Sequence, residues 1–275
     1  MTISQYRDNS NNTNSTIKAS QTEPNNSTNN HTKSMTKPKG FILERGISPI
    51  DGNPFVAVMT LGCKNRKTGP MPTVWILRED ISPVEAVATG QDVTNCGDCI
   101  HRGVWDPDLE KMVNRSCYVN YGQAPNSVWK AYKRGAYEED LTVEQGKKYL
   151  SNKLIRWGGY GDPAIIDPMI FNSVNGAAAG HTGYTHQWRQ PWAQWAREEF
   201  QASCDGLADY LDASSHGWKT FSVIPKGSNA YSGKLCPATA PNSQATCNTC
   251  ALCNGDKTDI YVVAHGSGAK FVTAS

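Results

Sequence analysis

Leu154-Ile155-Arg156-Trp157-Gly158-Gly159-Tyr160-Gly161-Asp162-Pro163 is the stretch that decides the fold class. Its first four residues have the apolar, β-rich character of a strand. The glycines interrupt that strand, and Pro163 opens a helical stretch running to Val174. The same rhythm recurs downstream. Tyr184–Trp188, Phe200–Cys204, Lys219–Ile224 and Ile260–Ala264 each read as a strand, with a helix around Leu207, Ala208, Tyr210 and Leu211. Short apolar strands alternating with helices argue for an α/β fold, either a partial (β/α) barrel or a parallel sheet.

Upstream the pattern is less regular. Thr73–Leu77 reads as a buried strand, and Ser82-Pro83 caps a short helix that stops at Gly90. Val128, Trp129, Ala131, Tyr132 and Tyr137 suggest an amphipathic helix. Residues 41–70 read as an irregular lead-in ending in a turn at Gly62-Cys63-Lys64-Asn65.

In parallel α/β folds, chemistry gathers at the C-terminal ends of the strands. Asp162, His186, Arg189, Asp205 and His265 all stand at such ends. Each alone is an ordinary turn or surface residue; their shared position makes Asp162, His186, Arg189 and His265 the catalytic candidates. Trp188, Trp192 and Trp195 read as a packing stripe rather than a base-stacking platform. No phosphate-binding loop, dinucleotide glycine pattern or nucleophile elbow is present.

Composition narrows the function classes. Asn, Ser and Thr supply 21 of the first 40 residues, so residues 1–40 read as a disordered tail ahead of a single α/β domain over 41–275. Its N-x-S/T triplets follow from that composition. A net charge of +2 from 27 basic and 25 acidic side chains gives no strong nucleic-acid signature. No apolar run reaches a membrane span, and no secretory leader is visible, so a cytoplasmic, non-membrane protein is expected. In that compartment, closely spaced cysteines are metal ligands before they are disulfides.

Two groups of cysteines fit. Cys247-x2-Cys250-x2-Cys253, with Cys236 eleven positions upstream of Cys247, has the three-thiolate run of [4Fe–4S] sites, Cys236 serving as the fourth ligand. Zinc is the rival, since four thiolates also satisfy a tetrahedral site. Cys96-x2-Cys99 with Cys117 supplies only three thiolates. Either His101 closes a Cys3His zinc module, or a [4Fe–4S] cluster keeps one iron open. Cys63 and Cys204 have no partner at ligand spacing.

The segments CGDCIHR (96–102), SCYVNYGQAPNSVWKAYKRGAY (116–137), GGYGDPA (158–164), TGYTHQWR (182–189), GWKTFSV (217–223), CPAT (236–239) and CNTCALCNG (247–255) resemble a cysteine-cluster family often encoded by phages and other mobile elements. That family in turn distantly resembles radical S-adenosylmethionine (SAM) iron–sulfur proteins. The resemblance implies an open cluster on Cys96, Cys99 and Cys117, and an auxiliary cluster on Cys236, Cys247, Cys250 and Cys253. Gly159, Gly161 and Asp162 would then bind the cofactor, in the segment that holds the methionine amino group in such enzymes. His186, Arg189 and His265 would orient a substrate, whose identity stays open. The C-x2-C-x17-C spacing departs from the C-x3-C-x2-C of those enzymes. The function expected is therefore an iron–sulfur protein with a radical SAM-like activity, acting in the host cytoplasm if phage-encoded. The alternative is a zinc-stapled binding or scaffold protein.

Overall fold

A computed structural model describes residues 37–63, 65–228, 231–265 and 269–272. The expected tail lies outside the described residues up to position 36, and so does Lys64 of the expected turn. Gly40 already belongs to a strand.

The lead-in expectation for 41–70 is overturned. β1 (Gly40–Ile47) and β2 (Pro54–Thr60) form an antiparallel hairpin. Its turn closes through Gly52 N–H to the Ser48 carbonyl at 3.0 Å and Asn53 N–H to Asp51 Oδ1 at 3.1 Å. The strands hide in the sequence because β2 and the first half of β1 are buried on both faces, which erases the polar alternation of a surface strand. Odd and even residues enter different cores. Phe41, Leu43, Phe55, Ala57 and Met59 join the main core, while Ile42, Val56 and Val58 join a second cluster with Val128.

β3 (Thr73–Arg78) continues the antiparallel pairing, then come α1 (Pro83–Ala88) and α2 (Val93–Cys96). Ser82 Oγ accepts the Glu85 N–H at 3.2 Å, as the cap reading expects. A small hairpin, β4 (Val104–Asp106) with β5 (Lys111–Val113), leads to α3 (Ala124–Lys133) and α4 (Val143–Leu150). Sequence reading missed α4, although its reciprocal Thr142–Gln145 capping box is visible in the chain.

β6 (Leu154–Tyr160) lies parallel to β3, α5 (Pro168–Asn175) follows, and β7 (Gly180–Thr182) completes the sheet in the order β1-β2-β3-β6-β7. Gly183 alone separates β7 from β8 (Tyr184–Thr185), so one sheet's edge strand runs on into the other's. A side chain at Gly183 would collide with the Phe200 ring, which is fully buried there. β9 (Gln201–Cys204), α6 (Leu207–Ser215), β10 (Thr220–Ile224), β11 (Lys234–Leu235), the one-turn α7 (Cys247–Cys250) and β12 (Ile260–Val263) follow. This second sheet, ordered β11-β12-β10-β9-β8, is parallel throughout. The molecule is thus α/β, as the strand–helix rhythm implies. The expected strand over 184–188 shrinks to two residues, because His186 and Gln187 turn away at its end.

The glycine run proves to be part of β6 rather than a loop beyond it. Thr73 pairs with Arg156, yet Trp75 pairs with Tyr160, so β6 carries extra residues in a bulge at Gly158-Gly159. A methyl at Gly159 would strike Thr73 Cγ2. At Gly161 (φ +80°) it would strike the Ile76 carbonyl oxygen. Close approach to β3 therefore requires both glycines.

Gly161→Ala should lose at least about 3 kcal/mol of stability in urea unfolding, since left-handed strain adds to backbone overlap. Gly52→Ala, at φ +74° in open space, should lose only about 1 kcal/mol.

Candidate metal centres at the strand ends

The C-terminal ends of β6, β8 and β9 deliver Asp162, His186 and Asp205 to one region. The segment carrying Cys96, Cys99 and Cys117 lies against it. Asp162 N–H donates to the Asn95 carbonyl at 2.6 Å, Gln187 Nε2 to the Cys96 carbonyl at 3.4 Å, and His101 Nε2 stands 3.0 Å from Asp205 Oδ1.

A buried ion cluster holds that segment in place. Asp92 is completely buried; Arg102 Nε meets its Oδ1 at 2.9 Å and Arg115 Nη1 its Oδ2 at 2.8 Å. Arg102 Nη2 also donates to the Gly90 carbonyl at 2.6 Å. The gap of seventeen residues between Cys99 and Cys117 is mostly the β4–β5 hairpin. Its return is sealed by the Cys117 N–H, 3.0 Å from the His101 carbonyl.

Cys96, Cys99 and Cys117 consequently act on one another electrostatically. Burial pushes the Cys96 thiol well up, with Asp92 and the two other thiols adding to it. Burial raises Cys117 too, against the downward pull of Arg115. Two buried guanidinium nitrogens of Arg115, Nε and Nη2, have no hydrogen-bond partner. The thiols are free of disulfides.

The second set assembles from three places. Cys236 follows β11, and its N–H donates to the Tyr261 carbonyl at 2.8 Å. Cys247 and Cys250 bound α7, whose start is tied down by Cys247 N–H to the Lys67 carbonyl at 3.0 Å. Ala251 adopts a left-handed turn (φ 50°), and the buried Cys253 accepts the Gly183 N–H on its carbonyl at 2.9 Å. Burial first, then the three neighbouring thiols, push Cys253 up to about 12 against a hydrogen bond from Tyr184. Arg156 stands between the two sets. It donates to Tyr118 Oη at 2.8 Å, next to Cys117, and acts electrostatically on Cys247.

The expected catalytic residues separate. His186 stays at the centre: its Nε2 lies 3.3 Å from Asp205 Oδ2. Burial alone would lower this imidazole, but Cys99 and Asp205 outweigh it and hold the ring well above its ordinary value. Asp205 is the converse: burial would raise it, and the facing His101 and His186 hold it well below the carboxylate range.

Asp162 has a different task from the expected one. Its Oδ1 accepts the Ala164 N–H at 3.0 Å and its Oδ2 the His186 N–H at 2.7 Å. Only 5% exposed, it positions the strand ends instead of offering a carboxylate to a ligand amine. Gly159 and Gly161 are accounted for by contact with β3. Arg189 is half-exposed and turned onto α6, paired with Asp209 and Asp212 at 2.8 Å each and stacked on Trp188. His265 lies beside Lys67 Nζ at 2.7 Å, on the loop that anchors α7, apart from His186.

His101 entered the sequence reading as a zinc ligand beside three cysteines. Here its Nδ1 meets Ser116 Oγ at 2.6 Å and its Nε2 faces Asp205. Asp92 and Arg115 went unread, because nothing in a single Asp or Arg announces a buried pairing partner. A groove of about 660 Å³, lined by Arg45, Glu79, Trp192 and Trp195 among others, contains none of the cysteines or histidines. No described helix is long and apolar enough to cross a membrane.

Replacing Asp92 by Ala should cost about 3–5 kcal/mol in urea unfolding, because Arg102 and Arg115 are left buried without their anion. Arg189→Ala, removing an exposed ion pair, should cost no more than about 1 kcal/mol. Comparison of the chain with protein-family models, with curated proteins and with solved structures finds no match, so the reading of these sites rests on their own chemistry.

Proposed function

We propose that the chain is an iron–sulfur protein, with one cluster on Cys96, Cys99 and Cys117 and a second on Cys236, Cys247, Cys250 and Cys253. The observation that carries this reading is the spacing of the thiols. Within each set the cysteines act on one another electrostatically. The second set has the C-x2-C-x2-C run of [4Fe–4S] sites, with Cys236 as a fourth thiol.

Two further features support the reading. His101 is engaged by Ser116 and Asp205, which leaves the first set with three thiols and no closing imidazole. The Arg115 guanidinium stands against the Cys117 thiol and pulls it down, a cation suited to an anionic thiolate-bound group. Bound there, a cluster supplies one-electron chemistry or a Lewis-acidic iron. The protein's part is to bury it and to hold its ligands with the Asp92 cluster. The proposal does not extend to S-adenosylmethionine, because the Asp162 carboxylate is taken by backbone N–H groups and Gly159 and Gly161 are pressed against β3.

Iron and acid-labile sulfide measured on anaerobically purified chain test the proposal. Cys250→Ser should lose the metal of the second set and keep that of the first; Cys99→Ser should do the reverse, and Cys63→Ser should change neither. Zinc in both sets without sulfide would overturn it.

A further inference from the structure

His101, His186 and Asp205 form a second kind of site. Their ligand atoms all lie within 4.8 Å of one another, the only such group among the described residues. We propose that these three side chains bind a single divalent transition-metal ion beside the first thiol set, with coordination positions left open for water or a substrate oxygen.

The distances fit. Metal–ligand bonds of ~2.1 Å place neighbouring donors ~3.0 Å apart at right angles and ~3.4 Å apart in a tetrahedron. His101 Nε2 lies 3.0 Å from Asp205 Oδ1, and His186 Nε2 lies 3.3 Å from Asp205 Oδ2. A plain hydrogen-bonded His–Asp–His chain is the competing explanation. Against it, the buried Nε2 of His186 has no partner in hydrogen-bond geometry, so the contact at 3.3 Å does not lie along an N–H direction.

The surroundings also suit a metal. The Nδ1 of His101 is held by Ser116 Oγ at 2.6 Å, the outer contact that fixes the tautomer and orientation of a metal-bound imidazole. All three side chains are at most 18% exposed. Each comes from a different element, the turn after Cys99, the end of β8 and the end of β9, so the fold itself brings them together. Two imidazoles and one carboxylate are the donor set of open-sided iron(II) sites, and they accept zinc or manganese as well. The Cys99 thiol stands against His186, so the ion would adjoin the first thiol set, and the test must read the imidazoles rather than the thiols.

Manganese(II) discriminates because it favours oxygen and imidazole donors over thiolates. Titrated into the full chain and followed by electron paramagnetic resonance, Mn2+ should be immobilised at one ion per chain. Spin-echo modulation of that bound ion should show nitrogen coupling from two imidazoles, a readout that needs no variant. Asp205→Asn, which preserves shape, and His186→Ala should each weaken binding at least tenfold, while Cys63→Ser should leave it unchanged. No bound Mn2+, bound Mn2+ without nitrogen coupling, or equal binding by well-folded Asp205→Asn would overturn the assignment.

Discussion

The carboxylate of Asp92, buried between Arg102 and Arg115, is the contact on which the functional end of this molecule depends. Its position just before α2 ties the Cys96–Cys99 turn to the β5 end of the small hairpin, and so to Cys117. Three charges buried together are stable only as a set: the anion needs both cations, and each cation needs it. The ion cluster thus converts a sequence separation of eighteen positions into spatial adjacency.

The rest of the architecture supplies the platform. The first sheet buries both faces, one against the main core and one against α3, which leaves its strand ends as the place where polar groups can collect. The chain crosses between sheets at Gly183, and the carbonyl of Cys253 caps that crossing. The second thiol set is therefore attached to the hinge between the sheets, and the first to their C-terminal edge. Arg156, rising from β6, acts on Cys247 of the second set and donates to Tyr118, the neighbour of Cys117.

Much of this was legible in the chain. The strands from Leu154 onward, the Ser82 cap, the helix around Val128 and both cysteine sets could be read from periodicity, capping chemistry and spacing. What failed did so for identifiable reasons. The β1–β2 hairpin lacks alternation because it is buried on two sides. Gly159 and Gly161 looked like a ligand loop, yet a bulge pressed against β3 demands the same residue type. Asp162 and Arg189 stand at strand ends as expected, but their partners, the His186 N–H and the α6 aspartates, are set by tertiary contacts that no local pattern records. Of the strand-end residues, His186 and Asp205 converge; His101 joins them from the cysteine segment, a meeting that only the fold could arrange.

Polynuclear iron–sulfur cores, rather than single ions, are proposed for the two thiol sets. Native mass spectrometry of the full chain, purified and sprayed without oxygen, measures this directly, because iron and inorganic sulfide add to the mass of the bare protein. Mass increments that contain sulfide together with iron are expected, in two units lost separately when Cys99 or Cys250 is replaced. Increments that correspond to zinc alone, with no sulfide, would contradict the iron–sulfur proposal.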